Sequence, residues 1–344
     1  MRIALDAMGG DKAPSEIIKG ALMAYREKVS DIIIVGNSDK IKPFMEDVSF
    51  NETDFTLVHT DEYIEMNESP AKAIKKKKNS SIAIARLIKE NKADALVSAG
   101  NTGALMQTAL LTLGRIPGIK RPALATFWPT KSGNSMLLDS GANSETKPEY
   151  LLQFAVMADI FMKDMYSLKS PKIGLLNIGT EPYKGTSVVV TAYQMLKESG
   201  LNFIGNVEMR DFLHGKADVA VCDGFVGNMV LKSGEAVAEY FHLILKEEIM
   251  KNTLYKLAAG LIKPVFRGLK KKLDHSEHGG ANLLGVKGIC IKSHGSADAK
   301  AIYNAIKVAD KMAKSRIIKR ICDLMISQGN KESIESEEEI LSHI

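Results

Sequence analysis

The segment "ADALVSAGNTGALMQTAL", residues 94–111, contains the residue types and spacing that point most directly to chemistry. An apolar run ends at Ser98, crosses Gly100 and Gly103, and resumes with helical spacing. Glycines there let the backbone come close to a ligand, and the helix that follows directs unpaired N–H groups at it. Such a terminus suits an anion, phosphate above all. Ser98, Asn101 and Thr102 add neutral hydrogen-bonding groups. The pattern is neither a Walker A loop nor a dinucleotide GxGxxG, so it does not indicate a nucleotide. His59, His214, His242, His275, His278, His294 and His343 are scattered without metal-ligand spacing, and neither metal nor cofactor is expected. Four further junctions have the same character: "DAMGGD" (6–11), "LDSGAN" (138–143), "NIGTEPYKG" (177–185) and "CDGFVGN" (222–228). Each alone could simply turn a corner. Together, each following an apolar run, they predict one polar rim.

Those junctions need strands and helices to hold them. "RIAL" (2–5), "IIIV" (32–35), "ALV" (95–97), "ALATFW" (123–128), "SMLL" (135–138), "KIGLL" (172–176), "NFIG" (202–205), "DVAVC" (218–222) and "GICI" (288–291) read as buried strands. Between them lie stretches with helical spacing, such as "SEIIKGALMAYREK" and "EYLLQFAVMADIFMKD". This alternation predicts an α/β fold with a doubly wound, mostly parallel sheet covered on both faces, whose ligands bind beyond the carboxyl ends of the strands. Residues 1–329 are expected to form one such domain, and 330–344 an acidic tail. The formal charge of +5 is mild, and no nucleic-acid partner is expected. Three widely spaced cysteines, no apolar stretch long enough for a bilayer and no secretory leader point to the cytoplasm. Cys222 could be an acyl-accepting nucleophile or a buried structural thiol; no base stands beside it in the sequence.

The blocks "DAMGGD", "SAGNTGA", "LDSGAN", "NIGTEPYKG", "ADVAVCDGFVGN", "GGANLLG" and "KSHGSADAKA" occur in order from Met1 to about residue 320. Together they resemble the bacterial fatty acyl–acyl carrier protein:phosphate acyltransferases (the PlsX family), distant relatives of phosphotransacetylases. His278 and Ala297 depart from the family pattern, where tyrosine and serine are expected. The resemblance implies a Rossmann-like fold of the phosphotransacetylase and isocitrate-dehydrogenase type. It also implies a reaction in which inorganic phosphate attacks an acyl–acyl carrier protein thioester, giving acyl phosphate and free carrier. A glycerol 3-phosphate acyltransferase would consume the product in phospholipid synthesis. The expected anion and substrate shell is Asp6, Gly9, Gly10, Ser98, Gly100, Asn101, Thr102, Gly103, Asp139, Asn143, Asn177 and Ser296. For Asp139 and Asn143 a loop-bracing role is the alternative. Lys184 is expected to supply positive charge, and Asp223 and Asn228 to position the pantetheine arm or the thioester. Ser293 and His294 are expected to donate to the oxyanion or the leaving sulfur; helix capping is the alternative for Ser293 and Ser296.

From Leu254 the pattern changes. Leu254, Leu257, Leu261, Ile262, Val265, Phe266, Leu269 and Leu273 form an apolar stripe, and no acid occurs from Lys251 through Lys272. Pro264 should break the helix. An arm of two short helices, about 246–275, is expected to project and either lie on an anionic membrane or pack against a second subunit or the core. A homodimer could do both. The acidic carrier protein needs a basic docking patch, either "KAIKKKKNS" (72–80) or the arm. Two rival readings are a short-chain phosphotransacetylase using coenzyme A thioesters and a non-catalytic membrane-surface adaptor for the carrier protein.

Overall fold

All nine apolar runs form strands in the computed structural model, which describes residues 1–47, 55–70, 79–266, 268 and 279–325. In chain order the elements begin β1 (Arg2–Asp6), α1 (Ser15–Arg26), β2 (Asp31–Gly36), α2 (Ser38–Asp47), β3 (Thr56–His59), α3 (Ser80–Lys89), β4 (Ala95–Ser98) and α4 (Thr102–Thr112). They continue with β5 (Ala123–Thr130), β6 (Gly133–Leu138), α5 (Pro148–Tyr166), β7 (Ile173–Leu176), α6 (Ser187–Glu198), β8 (Phe203–Val207), α7 (Met209–Leu213) and β9 (Val219–Val221). The last are α8 (Gly224–Met250), α9 (Thr253–Leu261), β10 (Ala281–Leu284), β11 (Ile289–Lys292) and α10 (Ala299–Ser315). β3 and β10 were not anticipated.

One eleven-stranded sheet has the order β3-β2-β1-β4-β11-β10-β5-β6-β9-β7-β8. Both faces are covered, which is why the strands read as continuous apolar runs rather than alternating ones. Ile3 and Leu5 share a core with Ile17, Ile302 and Phe154, whereas Ala4 and Leu96 face Ile84 and Leu105.

The single-rim expectation is corrected here. β10 is antiparallel to both β11 and β5, and β6 is antiparallel to β5. β9, β7 and β8 then run parallel to β6, so this half of the sheet points opposite to β1, β4 and β11. "DAMGGD" and "SAGNTGA" follow strands of one sense; "LDSGAN", "NIGTEPYKG" and "CDGFVGN" follow strands of the other. The register nevertheless brings the two sets to one level. Ser98 pairs with Lys292 and Lys292 with Ala281; Asn282 pairs with Ala125, which pairs with Leu138, which pairs with Val221. The strand ends of the two halves therefore meet near the middle of the sheet.

The long helix α8 leads into the arm. Asn252 caps α9 by accepting from the Leu254 N–H at 2.8 Å, and α9 ends at Ile262. Pro264 lies in the first turn of the next helical stretch (263–266), where its missing N–H removes no bond. No residue of α9 is buried, and Leu261 is 85% exposed. Leu254, Leu257 and Val265 are exposed too. No described helix is long and apolar enough to cross a membrane. Leu269, Leu273, most of the 72–80 basic run, His278 and the acidic tail lie outside the described residues.

Candidate active site

A cavity of about 1520 Å³ opens where the strand ends meet. Thr102 and Gly103 line it from the first turn of α4, and Ser140, Gly141 and Ala142 from the loop after β6. α8 contributes Asn228, Lys232 and Glu235; the segment after β11 contributes Ser293, His294 and Ser296. Met106, Leu110, Phe127, Leu231, Phe241, Leu245 and the arm's Phe266 make most of the remaining wall apolar, with Gln107, Glu239, His242, Lys246 and Lys263 set among them.

The turn of residues 98–101 is built from below. Asp6, fully buried at the end of β1, accepts from the Ser98 hydroxyl at 2.7 Å and from the Met8 N–H at 3.2 Å. Burial pushes its carboxyl above the usual carboxylate range, and hydrogen bonds from Ser80, Ser98 and Ser81 oppose that. Ser98 in turn accepts from the Gly100 N–H at 3.0 Å. Gly9 packs so closely on Gly100 that a Cβ there would stand 2.6 Å from its nitrogen. Gly10 has φ +111°, and the next residue, Asp11, donates its N–H to Gly295 at 2.8 Å. Asn101 caps α4, accepting from Ala104 N–H at 3.0 Å, and donates both amide hydrogens to the carbonyls of Met66 and Glu68. These bonds commit Asp6, Ser98 and Asn101 to shaping the turn. Thr102 and Gly103 are left facing the cavity.

The second loop follows the same logic. Asp139, fully buried, accepts from the N–H groups of Leu124, Gly141, Ala142 and Asn143 and from the Asn143 amide, all between 2.8 and 3.1 Å. Asn143 also donates to the Pro122 carbonyl at 2.7 Å. Of their two expected roles, Asp139 and Asn143 perform loop bracing. Asp223 does not face the cavity; it caps α8, accepting from Val226 N–H at 2.8 Å. Asn228, one helical turn further on, does line it. Gly227 allows this packing, since a Cβ there would overlap the Asp139 carbonyl oxygen at 1.9 Å. Burial, with Asp139 and Asp223 nearby, pushes the Cys222 thiol well up, and its Sγ hydrogen-bonds the Asp139 carbonyl, which fits a structural thiol.

After β11, the Ser293 N–H donates to the Ser98 carbonyl at 3.0 Å, joining the two turns. His294 Nδ1 accepts from the Ser296 N–H at 3.3 Å and pairs with its hydroxyl at 2.8 Å. A neutral imidazole held this way carries its hydrogen on Nε2. Partial desolvation, helped by Lys232 and Lys292, holds the His294 pKa below the usual range against the pull of Glu235 and Asp11. Asp298, not Ser293 or Ser296, caps α10.

Lys184 does not line the cavity. Its loop follows β7 on the reverse-running half, where Asn177 donates to the Lys184 carbonyl at 2.9 Å. The Lys184 ammonium lies 4.0 Å from Glu181. Sequence reasoning missed Lys292, a buried cation in the cavity wall hidden as the last residue of an apolar strand, and Thr126 and Ser140, whose hydroxyls pair at 2.6 Å.

A family model described as "Fatty acid synthesis protein" matches residues 1–320. The chain belongs to that family. It is 52% identical over 327 residues to the phosphate acyltransferase of Dictyoglomus turgidum, covering 94% of this chain and 97% of the relative. Against the phosphate acyltransferase of Heliobacterium modesticaldum it is 51% identical over 323 residues, covering 93% and 96%. This family member is therefore an acyltransferase. Its fold is similar to that of a phosphotransacetylase from Streptococcus pyogenes (TM-score 0.63, 19% identity, 92% and 94% covered). A branched-chain phosphotransacylase from Enterococcus faecalis is also similar (TM-score 0.54, 15% identity, 91% and 99% covered).

Proposed function

We propose that this chain transfers a fatty acyl group from an acyl carrier protein thioester to inorganic phosphate, for membrane phospholipid synthesis. One observation carries the reading: a single cavity brings a helix N-terminus and a buried cation together with a mostly apolar lining. Its 1520 Å³ exceeds the roughly 300–1,000 Å³ typical of small-ligand sites, which favours a fatty chain over a short acyl group.

Phosphate needs no covalent intermediate. Held by the N–H groups of Thr102 and Gly103, one of its oxygens attacks the thioester carbon. The carbonyl becomes an oxyanion that takes hydrogen bonds from His294 Nε2–H and Ser293. As the oxyanion collapses the C–S bond breaks, leaving acyl phosphate, and the thiolate takes the proton that the attacking hydrogen phosphate gives up. Asn228 holds the thioester, and Ser296 keeps the imidazole in its tautomer. Gly9, Gly10, Gly100, Asp6, Ser98, Asp139, Asn143 and Asp223 act through the loops they shape, positioning the reaction rather than touching it.

The partners proposed are acyl carrier protein, phosphate, a second copy of the chain, an anionic membrane and a downstream glycerol 3-phosphate acyltransferase. Exposed Ile178 and Tyr183 beside Lys184, and Tyr240 and Leu243 on α8, support a homodimer. A role for Lys184 in the reaction requires such a second copy to complete the site. The bare apolar stripe of α9 supports membrane docking by Leu254, Leu257, Leu261, Ile262 and Val265 on the cytoplasmic side of the membrane. Hydroxylamine trapping of acyl phosphate, with palmitoyl–carrier protein and acetyl-coenzyme A each offered with phosphate, tests the reaction. The reading requires product from the first substrate. Product from acetyl-coenzyme A alone would make the chain a short-chain phosphotransacetylase, and no product from either would contradict both.

A further inference from the structure

Lys292 ends β11 directly opposite Ser98 of β4, so it stands between the two turns that frame the polar end of the cavity. The side chain is buried, yet it forms part of the cavity wall. Its Nζ donates to the Ala99 carbonyl at 3.2 Å, in the first turn, and to the Ser293 carbonyl, in the second. An ammonium has three hydrogens, so these two bonds leave one for the cavity. The bonded acceptors are neutral carbonyls, not carboxylates. Asp6 and Asp11 act on Lys292 through space, Lys232 opposes them from α8, and His294 lies two residues along the chain. Asp6 already takes its own hydrogen bonds from Ser98 and Met8. A buried cation matched only to carbonyls is expensive unless an anion is delivered to it. Its desolvation shows in a pKa lowered to about 8.

We propose that the Lys292 ammonium is the cation that receives inorganic phosphate in this cavity, facing it across from the N–H groups of Thr102 and Gly103. This rests on reading the cavity as the phosphate site of an acyltransferase. It moves the charge role expected of Lys184 to a residue that the cavity contains. It also adds a protein titration to phosphate's own second ionisation: as pH rises through about 8, Lys292 loses its proton and binding weakens.

The test is titration with inorganic phosphate, followed by calorimetry or phosphorus NMR, on the full chain at pH 7 and pH 9. Wild type, Lys292→Met and Lys292→Arg are compared, with thermal unfolding to check each fold. Loss of a charge-assisted hydrogen bond predicts about 10- to 100-fold weaker binding in Lys292→Met at pH 7, without the weakening toward pH 9 that wild type shows beyond phosphate's own ionisation. Lys292→Arg, charged at both, should hold phosphate at pH 9 better than wild type does. Lys292→Met that binds like wild type, with the same pH dependence, would overturn the assignment. Should that variant not fold, an arginine variant that weakens in step with wild type at pH 9 would overturn it as well. Wild type that binds no phosphate at either pH would instead remove the phosphate-site reading itself. Acyl phosphate formation by wild type is scored separately.

Discussion

Three glycine-to-alanine substitutions in neighbouring helical segments should have opposite consequences. An alanine Cβ at Gly227 would sit 1.9 Å from the Asp139 carbonyl oxygen, against roughly 3.5 Å for a comfortable contact. Helix or loop must therefore give by about 1.5 Å, and both are backbone. Overpacking of this kind costs about 1–3 kcal/mol, whereas alanine returns about 1 kcal/mol of helix propensity, so Gly227→Ala should lose up to about 2 kcal/mol. The larger effect is on rate. Asn228 follows immediately and lines the cavity, and a misplacement on the order of 1 Å can lower turnover about 100-fold. Gly260→Ala in α9 meets nothing within 4 Å and should be neutral or stabilising by up to about 1 kcal/mol. Gly234→Ala would bring its Cβ to 2.3 Å from the buried Trp128 ring, a smaller overlap and with a side chain rather than backbone, and should fall between. Urea unfolding and hydroxylamine-trapped product, measured on all three, read both effects. Gly227→Ala matching Gly260→Ala in stability and turnover would refute the described seating of α8 on the Asp139 loop.

Ser98→Ala removes the hydroxyl shared by Asp6 and the Gly100 N–H, leaving both buried groups short of a partner. A loss of about 1–3 kcal/mol in urea midpoint analysis is expected, and an unchanged midpoint would show that the bonds carry no stability. His294 is held neutral by a lowered pKa, so turnover should fall as pH drops through the imidazole range and Nδ1 becomes a donor facing the Ser296 N–H. The same group contributes stability above the unfolded histidine value that is lost as pH falls below it; a His294→Ala variant with the wild-type pH–rate profile would exclude this. Leu245→Trp, which adds bulk to the cavity wall, should shift preference toward shorter acyl chains in competition assays, and an unaltered preference would place the chain elsewhere. Leu257→Glu with Leu261→Glu should abolish flotation with anionic vesicles while sparing turnover on soluble substrate; equal flotation would remove the arm from membrane contact.

Strands were legible where burial on both faces made them continuous apolar runs. β10 escaped notice because "ANLL" is short and flanked by glycines, and β3 because "TLVH" is only partly buried. Strand direction is encoded in the length of one loop. Only Lys131 and Ser132 separate β5 from β6, and a parallel pair would need a crossover of about a dozen residues. That hairpin reverses the second half of the sheet. At the site, residue type located the loops without stating which groups face inward. Asn101 and Asp223 are side chains that cap helices well, and both do so here. Asp139 looks like a ligand in sequence and is a loop hub, because only the fold shows how many N–H groups converge on it. Lys292 was invisible as a strand terminus, since its meaning comes from Ala99, distant in sequence and brought close by the pairing of β4 with β11.

The central claim is that phosphate meets a fatty thioester between the start of α4 and the end of β11. A crystal grown with inorganic phosphate and a non-hydrolysable acyl–pantetheine analogue tests it most directly. Phosphate density within hydrogen-bond reach of the Thr102 and Gly103 N–H groups, with the acyl chain along Met106, Phe127 and Leu245, is the predicted result. Phosphate ordered at another surface, with the analogue bound outside this cavity, would contradict it.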